Sequence, residues 1–366
     1  MARASGRALV DLTEANPTRV GLAYPWDEIA AAYARAAREP YEPEPLGLLT
    51  ARAAVAERYA PGVDPARVLL TASTSEAYAH LFRLLADPGD RVLVPRPSYP
   101  LFGLLADLEG VELASYRLDP HDGWRPDWDS LDAALAERPV RAVITVSPNN
   151  PTGSSLDGGA LAALAERARA HGFALIADEV FCDFRRDGVA LVDAARDGLL
   201  DDVTWFALGG LSKSAGLPGA KLAWTACGAS ETVLGEVLAR LDVIADTFLS
   251  PAMVVQVALP ALLELAPRIR AAIRVRLDVN VAALASLVGT PAGAWPVMGG
   301  WSVVLRVPAI HGDEEWARRL VVERGVVVQP GSFFELEAEG QLVASLLPEP
   351  APFRAGLAAL SALAAG

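Results

Sequence analysis

Lys213 stands where an apolar run, TWFAL, gives way to a loop of glycines, serines and a proline within GGLSKSAGLPGAKLAW, Gly209 to Trp224. A lysine so placed need not be a solvated charge. Partial burial lowers its pKa, and the neutral amine then attacks carbonyl carbons to form a Schiff base. For a lone lysine at a loop edge the commoner role is to neutralise a nearby carboxylate. The other residues at comparable positions decide between the two.

Apolar runs elsewhere end in chemistry as well. RVLL ends in TASTSEAY, where Ser73, Thr74 and Ser75 with the free N–H groups of a helix start can cradle a phosphate. RVLVP ends in RPSYP and presents Tyr99; RAVITVS ends in PNNPTG and presents Asn149 and Asn150; FALIADEV carries Asp178; TWFAL ends in GGLSK and presents Ser212 beside Lys213. Each has a plain alternative: TASTS as a helix cap, Tyr99 as core, NNPTG as a turn, Asp178 as the partner of an arginine. Together they match the needs of pyridoxal 5'-phosphate. That cofactor requires a lysine for its aldehyde, a carboxylate for its pyridine nitrogen, a donor to its ring oxygen, a stacking face and an anion site.

These residues must be positioned by the elements that carry them. The strand candidates are 67–70, 91–95, 111–116, 141–147, 173–180 and 204–208, separated by helical segments such as EAYAHLFRLLAD and GGALAALAERARAHG. Short, near-continuous apolar strands alternating with helices predict a three-layer α/β domain around a mostly parallel sheet covered on both faces, with ligands beyond the carboxyl ends of its strands. Residues 1–40 read as an arm and helix packing with the small domain, 41–250 as the large domain, and 251–366 as a connecting helix and a smaller α+β C-terminal domain.

Length and charge agree. At 366 residues the chain exceeds what one core usually supports, and 52% hydrophobic with 21% charged residues is a globular composition. A net charge of -13 disfavours nucleic acid and anionic membranes as partners, so small molecules are expected. The start of the chain lacks an apolar core of signal-peptide length, and no later run reaches membrane-span length, which predicts a soluble, cytoplasmic protein. Two cysteines and four scattered histidines offer neither a disulfide framework nor a metal site.

On SPNNPTG, ADEV and LSKSAGLPGAK, in that order, with YEPEPLG and TASTSEAY upstream and PGSFF downstream, the chain resembles the class I/II aminotransferases of the type I pyridoxal-phosphate fold. The resemblance implies that Lys213 forms the Schiff base and shuttles a proton, that Asp178 partners the pyridine nitrogen, that Asn150 donates to the ring oxygen and that Tyr99 stacks. It places Ser73, Thr74, Ser75, Ser212 and Lys221 at the cofactor, most of them around its phosphate, and has Tyr41 reach into the neighbouring subunit's site, implying a homodimer. Ala15 and Arg19 of the arm are carried as substrate-binding candidates, although a surface ion pair is the plainer role for Arg19.

Four positions depart from the family pattern. Gly210 stands where a serine is common, Lys221 replaces an arginine, Phe181 replaces the usual DEVY tyrosine, and Val343 falls where most members place the arginine that grips the substrate carboxylate. A lysine still offers the phosphate a point charge, without the bidentate fork. The expected activity is transfer of an amino group between an amino acid or related amine and a 2-oxo acid. Elimination chemistry on the same cofactor is the alternative. Charge and length disfavour a cofactor-sensing regulator, and no nucleophile-elbow pattern supports a hydrolase using Ser212.

Overall fold

The structure is a computed structural model and describes residues 9–366; the first residues, on which the signal-peptide reading rests, lie outside it. A two-residue strand in the arm, β1 (Val10–Asp11), precedes the large sheet. That sheet comprises β2 (Val68–Thr71), β3 (Arg91–Arg96), β4 (Glu112–Asp119), β5 (Arg125–Pro126), β6 (Val140–Val146), β7 (Ala174–Asp178), β8 (Trp205–Gly210) and β9 (Ala223–Gly228). Its order is β2-β9-β8-β7-β6-β3-β4-β5. The pairings β4–β3–β6–β7–β8 are parallel, whereas β9 runs antiparallel to both β8 and β2, and β5 antiparallel to β4.

The central strands read as continuous apolar runs because both faces are covered. Alternate side chains enter two separate cores: Leu175 and Ala177 of β7 pack on one face, Ala174 and Ile176 on the other. The sequence reading ended at TWFAL and missed β9. AWTACG has little of the β-branched density that marks the other strands, yet every one of its residues is buried between β8 and β2. The helical runs form as their periodicity predicts: Thr74–Leu85 buries Ala77, Tyr78, Leu81 and Phe82, spaced along one face.

Beyond the helix Glu231–Phe248 a second helix, Met253–Ala283, crosses from the large sheet to a smaller one. Gln256 near its start accepts a hydrogen bond from the Leu48 N–H at 2.6 Å. Near its end, Asn280 donates to the carbonyls of Leu346 (2.9 Å) and Pro348 (2.8 Å). The smaller sheet is antiparallel, built from β10 (Gly293–Ala294), β11 (Ser302–Arg306), β13 (Gln329–Pro330) and β14 (Gln341–Ser345) in the order β10-β11-β14-β13. β12 (Val326–Val327) pairs in parallel with β1 and so ties the arm to this lobe. Among the described residues no single helix is long and apolar enough to cross a membrane.

Candidate active site

The register of the large sheet brings distant residues to one edge. Asp178, the last residue of β7, lies opposite Val146 of β6 and Leu208 of β8. Asn150 follows β6 by a short turn, and the four-residue helix Leu211–Ser214 that carries Lys213 follows β8 directly. On the other side, Thr71 at the end of β2 pairs with Ala223 at the start of β9, and Gly210 pairs with the same residue. The turn Ser73–Ser75, Lys221 and Ser212 therefore meet at three neighbouring strand ends.

Asp178 is 7% exposed. Its Oδ2 accepts from the Tyr78 hydroxyl at 3.0 Å and its Oδ1 from the Val180 N–H at 3.2 Å. Burial pushes its pKa up to about 6, against the opposing pull of the Val180 N–H, the Tyr78 hydroxyl and the Lys213 charge. Lys213 lies over two rings that pack edge-on against each other, its Nζ 4.8 Å from the centroid of Trp301 and 5.3 Å from that of Phe181. Burial lowers its pKa to about 8, with Asp178 acting in the other direction. Near neutral pH the site thus holds an ionised carboxylate and an amine with an appreciable neutral fraction.

Asn150 Oδ1 accepts from the Ser302 hydroxyl at 3.2 Å, a link from the large sheet to the first residue of β11. Its neighbour Asn149 is structural: the Nδ2 donates to Thr152 Oγ1 (2.9 Å) and to the Pro97 carbonyl (3.2 Å). Ser73 does act as a helix cap, accepting from the Glu76 N–H at 3.2 Å, while the Glu76 carboxylate accepts the Ala72 N–H. Thr74, Ser75, Ser212 and Lys221 make no side-chain hydrogen bond or ion pair among the described residues. Lys221 is held in the left-handed region at φ 53°. A cavity of about 630 Å³ adjoins this corner, lined in part by Ala72, Lys221, Thr18 and Trp26.

The remaining sequence candidates fall as follows. Tyr99 is 40% exposed and edge-on to Phe102 at 6.1 Å. Tyr41 is 70% exposed on an irregular segment. Ala15 is exposed in the arm, and Arg19 is a surface residue paired with Glu14 at 3.5 Å, the plainer of its two roles. Val343 is buried within β14 between Val304 and Gln329. Gly210 is explained by packing: a Cβ there would lie 3.2 Å from Ala223 Cα and Cβ, so a serine needs the neighbouring strand to yield. Burial raises the Cys182 thiol well above its ordinary range, which leaves it unreactive.

Sequence reasoning missed Tyr78. Trp301 is core, at 2% exposed, yet one face of its ring meets Lys213. The buried helical face of Thr74–Leu85 gave a sign that Tyr78 points inward. Its acceptor lies 100 residues further along the chain, which no local pattern reports.

The sequence pattern described as "Aminotransferase class I and II" matches residues 28–359. Tyrosine aminotransferase of Bos taurus is 29% identical over 304 residues, covering 79% of this chain and 67% of that protein. Alanine aminotransferase of Mycobacterium tuberculosis (strain ATCC 25618 / H37Rv) is 32% identical over 231 residues, covering 61% and 52%. The chain thus spans about two thirds of the first of these relatives and about half of the second. Among solved structures, an alanine aminotransferase from Pyrococcus furiosus superposes with a TM-score of 0.88 at 26% identity over 99% of this chain and 94% of that one. The Thermus thermophilus aspartate aminotransferase with maleate gives 0.84 at 26% identity over 99% and 93%. The fold is that of the type I pyridoxal-phosphate enzymes, and the cofactor of this family is pyridoxal 5'-phosphate. The chain belongs to the class I and II aminotransferase family.

Proposed function

We propose that this protein transfers an amino group between an amino acid, or a related amine, and a 2-oxo acid, with Lys213 as its catalytic residue. The observation that carries the reading is the pairing of Lys213 and Asp178 at the ends of neighbouring strands. One is an amine with its pKa brought down to about 8, the other a buried carboxylate still ionised at neutral pH.

The residues present fit pyridoxal 5'-phosphate. Thr74, Ser75, Ser212 and Lys221 lie at neighbouring strand ends beside the start of the helix Thr74–Leu85, and their side chains have no hydrogen-bond or ion-pair partner among the described residues. That corner suits a dianion: N–H groups at a helix start, hydroxyl donors and one cation. Lys221 is held there in a conformation that is unfavourable for a residue with a side chain. Asp178 would hold the ring nitrogen, Asn150 the ring oxygen, Tyr99 a ring face and Lys213 the aldehyde carbon.

When bound, the cofactor supplies the electron sink that makes a Cα proton removable. The chain's own part is positional and acid–base. Lys213 would take and return a proton at Nζ, and its lowered pKa suits that exchange near neutral pH. Trp301 and Phe181 lie against the amine, their ring centroids 4.8 Å and 5.3 Å from Nζ. Asp178, fixed by two donors, would supply the negative charge that partners the ring nitrogen. Phe181 has no hydroxyl to offer the ring oxygen, which leaves that task to Asn150.

A cytoplasmic homodimer belongs to the same proposal, with Tyr41 reaching the neighbouring site from its exposed segment. Absorption spectroscopy tests the reading. Purified protein should bind pyridoxal 5'-phosphate with a borohydride-reducible band that is absent from Lys213→Ala, and an amino-acid panel should convert the cofactor to its pyridoxamine form, with the matching oxo acid released. Ammonia release without lasting pyridoxamine would instead mean elimination, and failure to bind the cofactor would overturn the proposal.

A further inference from the structure

The geometry points to Tyr78 as a positioning residue that fixes Asp178 for its partnership with the cofactor's ring nitrogen; this rests on the proposed function. Tyr78 lies one turn into the helix Thr74–Leu85, whose first residues form the anion corner. Its side chain is 2% exposed, and its hydroxyl reaches across to β7 to donate to Asp178 Oδ2 at 3.0 Å. The ring is confined by Phe102, edge-on at 5.1 Å, and by Phe82 at 6.0 Å. Phe102 is in turn edge-on to Tyr99. One helix therefore carries both the phosphate-binding turn and the donor that orients the carboxylate, which couples the two ends of the cofactor site in a single rigid element.

The energetic argument is specific to the hydroxyl. A carboxylate buried to this degree is driven toward its neutral form, and a neutral acid cannot partner a protonated ring nitrogen. Two donors oppose that drive: the Val180 N–H on Oδ1, which comes with the local chain turn, and the Tyr78 hydroxyl on Oδ2, which comes from a separate element. Two contacts on different oxygens also lock the rotation of the carboxyl group. Other charged or titratable groups act on Asp178 from the elements around it. Lys213 after β8 favours its anion, while Glu179 beside it and Tyr99 after β3 couple to it with the opposite sign when ionised. None of these three has a hydrogen bond to the carboxylate among the described residues, so Tyr78 is the removable contact.

Tyr78→Phe tests this, because it keeps the ring against Phe102 and Phe82 and deletes the donor alone. The apo-protein is titrated with pyridoxal 5'-phosphate between acidic and alkaline pH, and Kd is read by fluorescence. The expected result is a weakening of about tenfold at the acidic end, corresponding to an upward shift of about one unit in the acidic limb of binding. The difference should close at alkaline pH, where Asp178 is ionised in both proteins. A Kd ratio that is constant with pH, or no change at all, would overturn the assignment, since lost packing alone would weaken binding uniformly. The cycle with Asp178→Asn gives a second reading: Tyr78→Phe should add nothing to the cofactor Kd of Asp178→Asn, and full additivity would equally refute it. Wild-type protein that fails to bind the cofactor at any pH would sink the proposed function instead, a result separable from both.

Discussion

The Nζ of Lys213 lies 4.8 Å from the centroid of Trp301, with its charge directed at a ring that is itself buried. A cation over an indole face is stabilised by about 0.5–2 kcal/mol, more when desolvated. Trp301 therefore works against the burial that lowers the Lys213 pKa. Replacing it by leucine should lower that pKa further, by up to about one unit. The pH dependence of the rate at which the apo-protein's lysine combines with pyridoxal phosphate reads this directly. An unchanged midpoint would show that the ring contact has no electrostatic role.

Burial of Lys213 has a consequence for stability. Its folded pKa, about 8, lies below the ordinary value of 10.5, so between those two pH values the unfolded chain holds a proton that the native apo-protein has lost. Stability then rises with pH across that window. The contribution is on the order of 3 kcal/mol. Urea unfolding of the apo-protein, compared with Lys213→Ala, should show the difference between the two growing in favour of the wild type from pH 8 to above 10. A flat difference would mean that the amine is well solvated.

Asp178 has the opposite sign. With its folded pKa raised to about 6, the native state holds a proton that the unfolded chain releases, so this residue disfavours the apo-fold above that pH relative to strongly acidic conditions. Its retention is a matter of catalysis. Asp178→Asn should lower kcat/KM by roughly 10²–10³-fold, the usual loss on removing one preorganised electrostatic partner of a reacting system. It should leave the apo-protein as stable as the wild type or more so near neutral pH. Steady-state kinetics and urea unfolding of the same preparation test both halves.

Arg270 braces the turn that carries Lys213. Its Nη1 donates to the Ser214 carbonyl at 3.1 Å and to the Tyr59 hydroxyl at 2.8 Å, and lies 3.3 Å from Asp183 Oδ1. Both charged side chains are mostly buried, at 13% and 16% exposed. Arg270→Leu strands the Asp183 carboxylate and frees the Ser214 carbonyl, and should destabilise the protein by about 3 kcal/mol. Denaturant unfolding measures the loss, and adding Asp183→Leu should recover part of it.

Gly209 is required by Trp224. A Cβ at that position would fall 2.4 Å from the indole Nε1, and the indole is itself packed against Tyr59 with ring centroids 4.7 Å apart. Gly209→Ala should therefore cost about 1–3 kcal/mol through displacement of the ring. A fully stable variant, judged by its melting temperature, would show that Trp224 has room to move.

The alternation of apolar strands and helices determined the three-layer architecture from sequence alone, because a parallel sheet covered on both faces imposes that pattern locally. Lys213, Asp178, Asn150 and the Ser73–Ser75 turn were legible for a related reason: each sits immediately at the end of an apolar run, and strand ends converge by topology. β9 was not legible, since its burial comes from being flanked by β2 and β8 and not from its own composition. The tertiary structure alone decided how the site is supported. Tyr78 meets Asp178, Trp301 meets Lys213, and Ser302 meets Asn150 through separations of roughly 90 to 150 residues, where packing between elements sets the contact and no local periodicity can announce it.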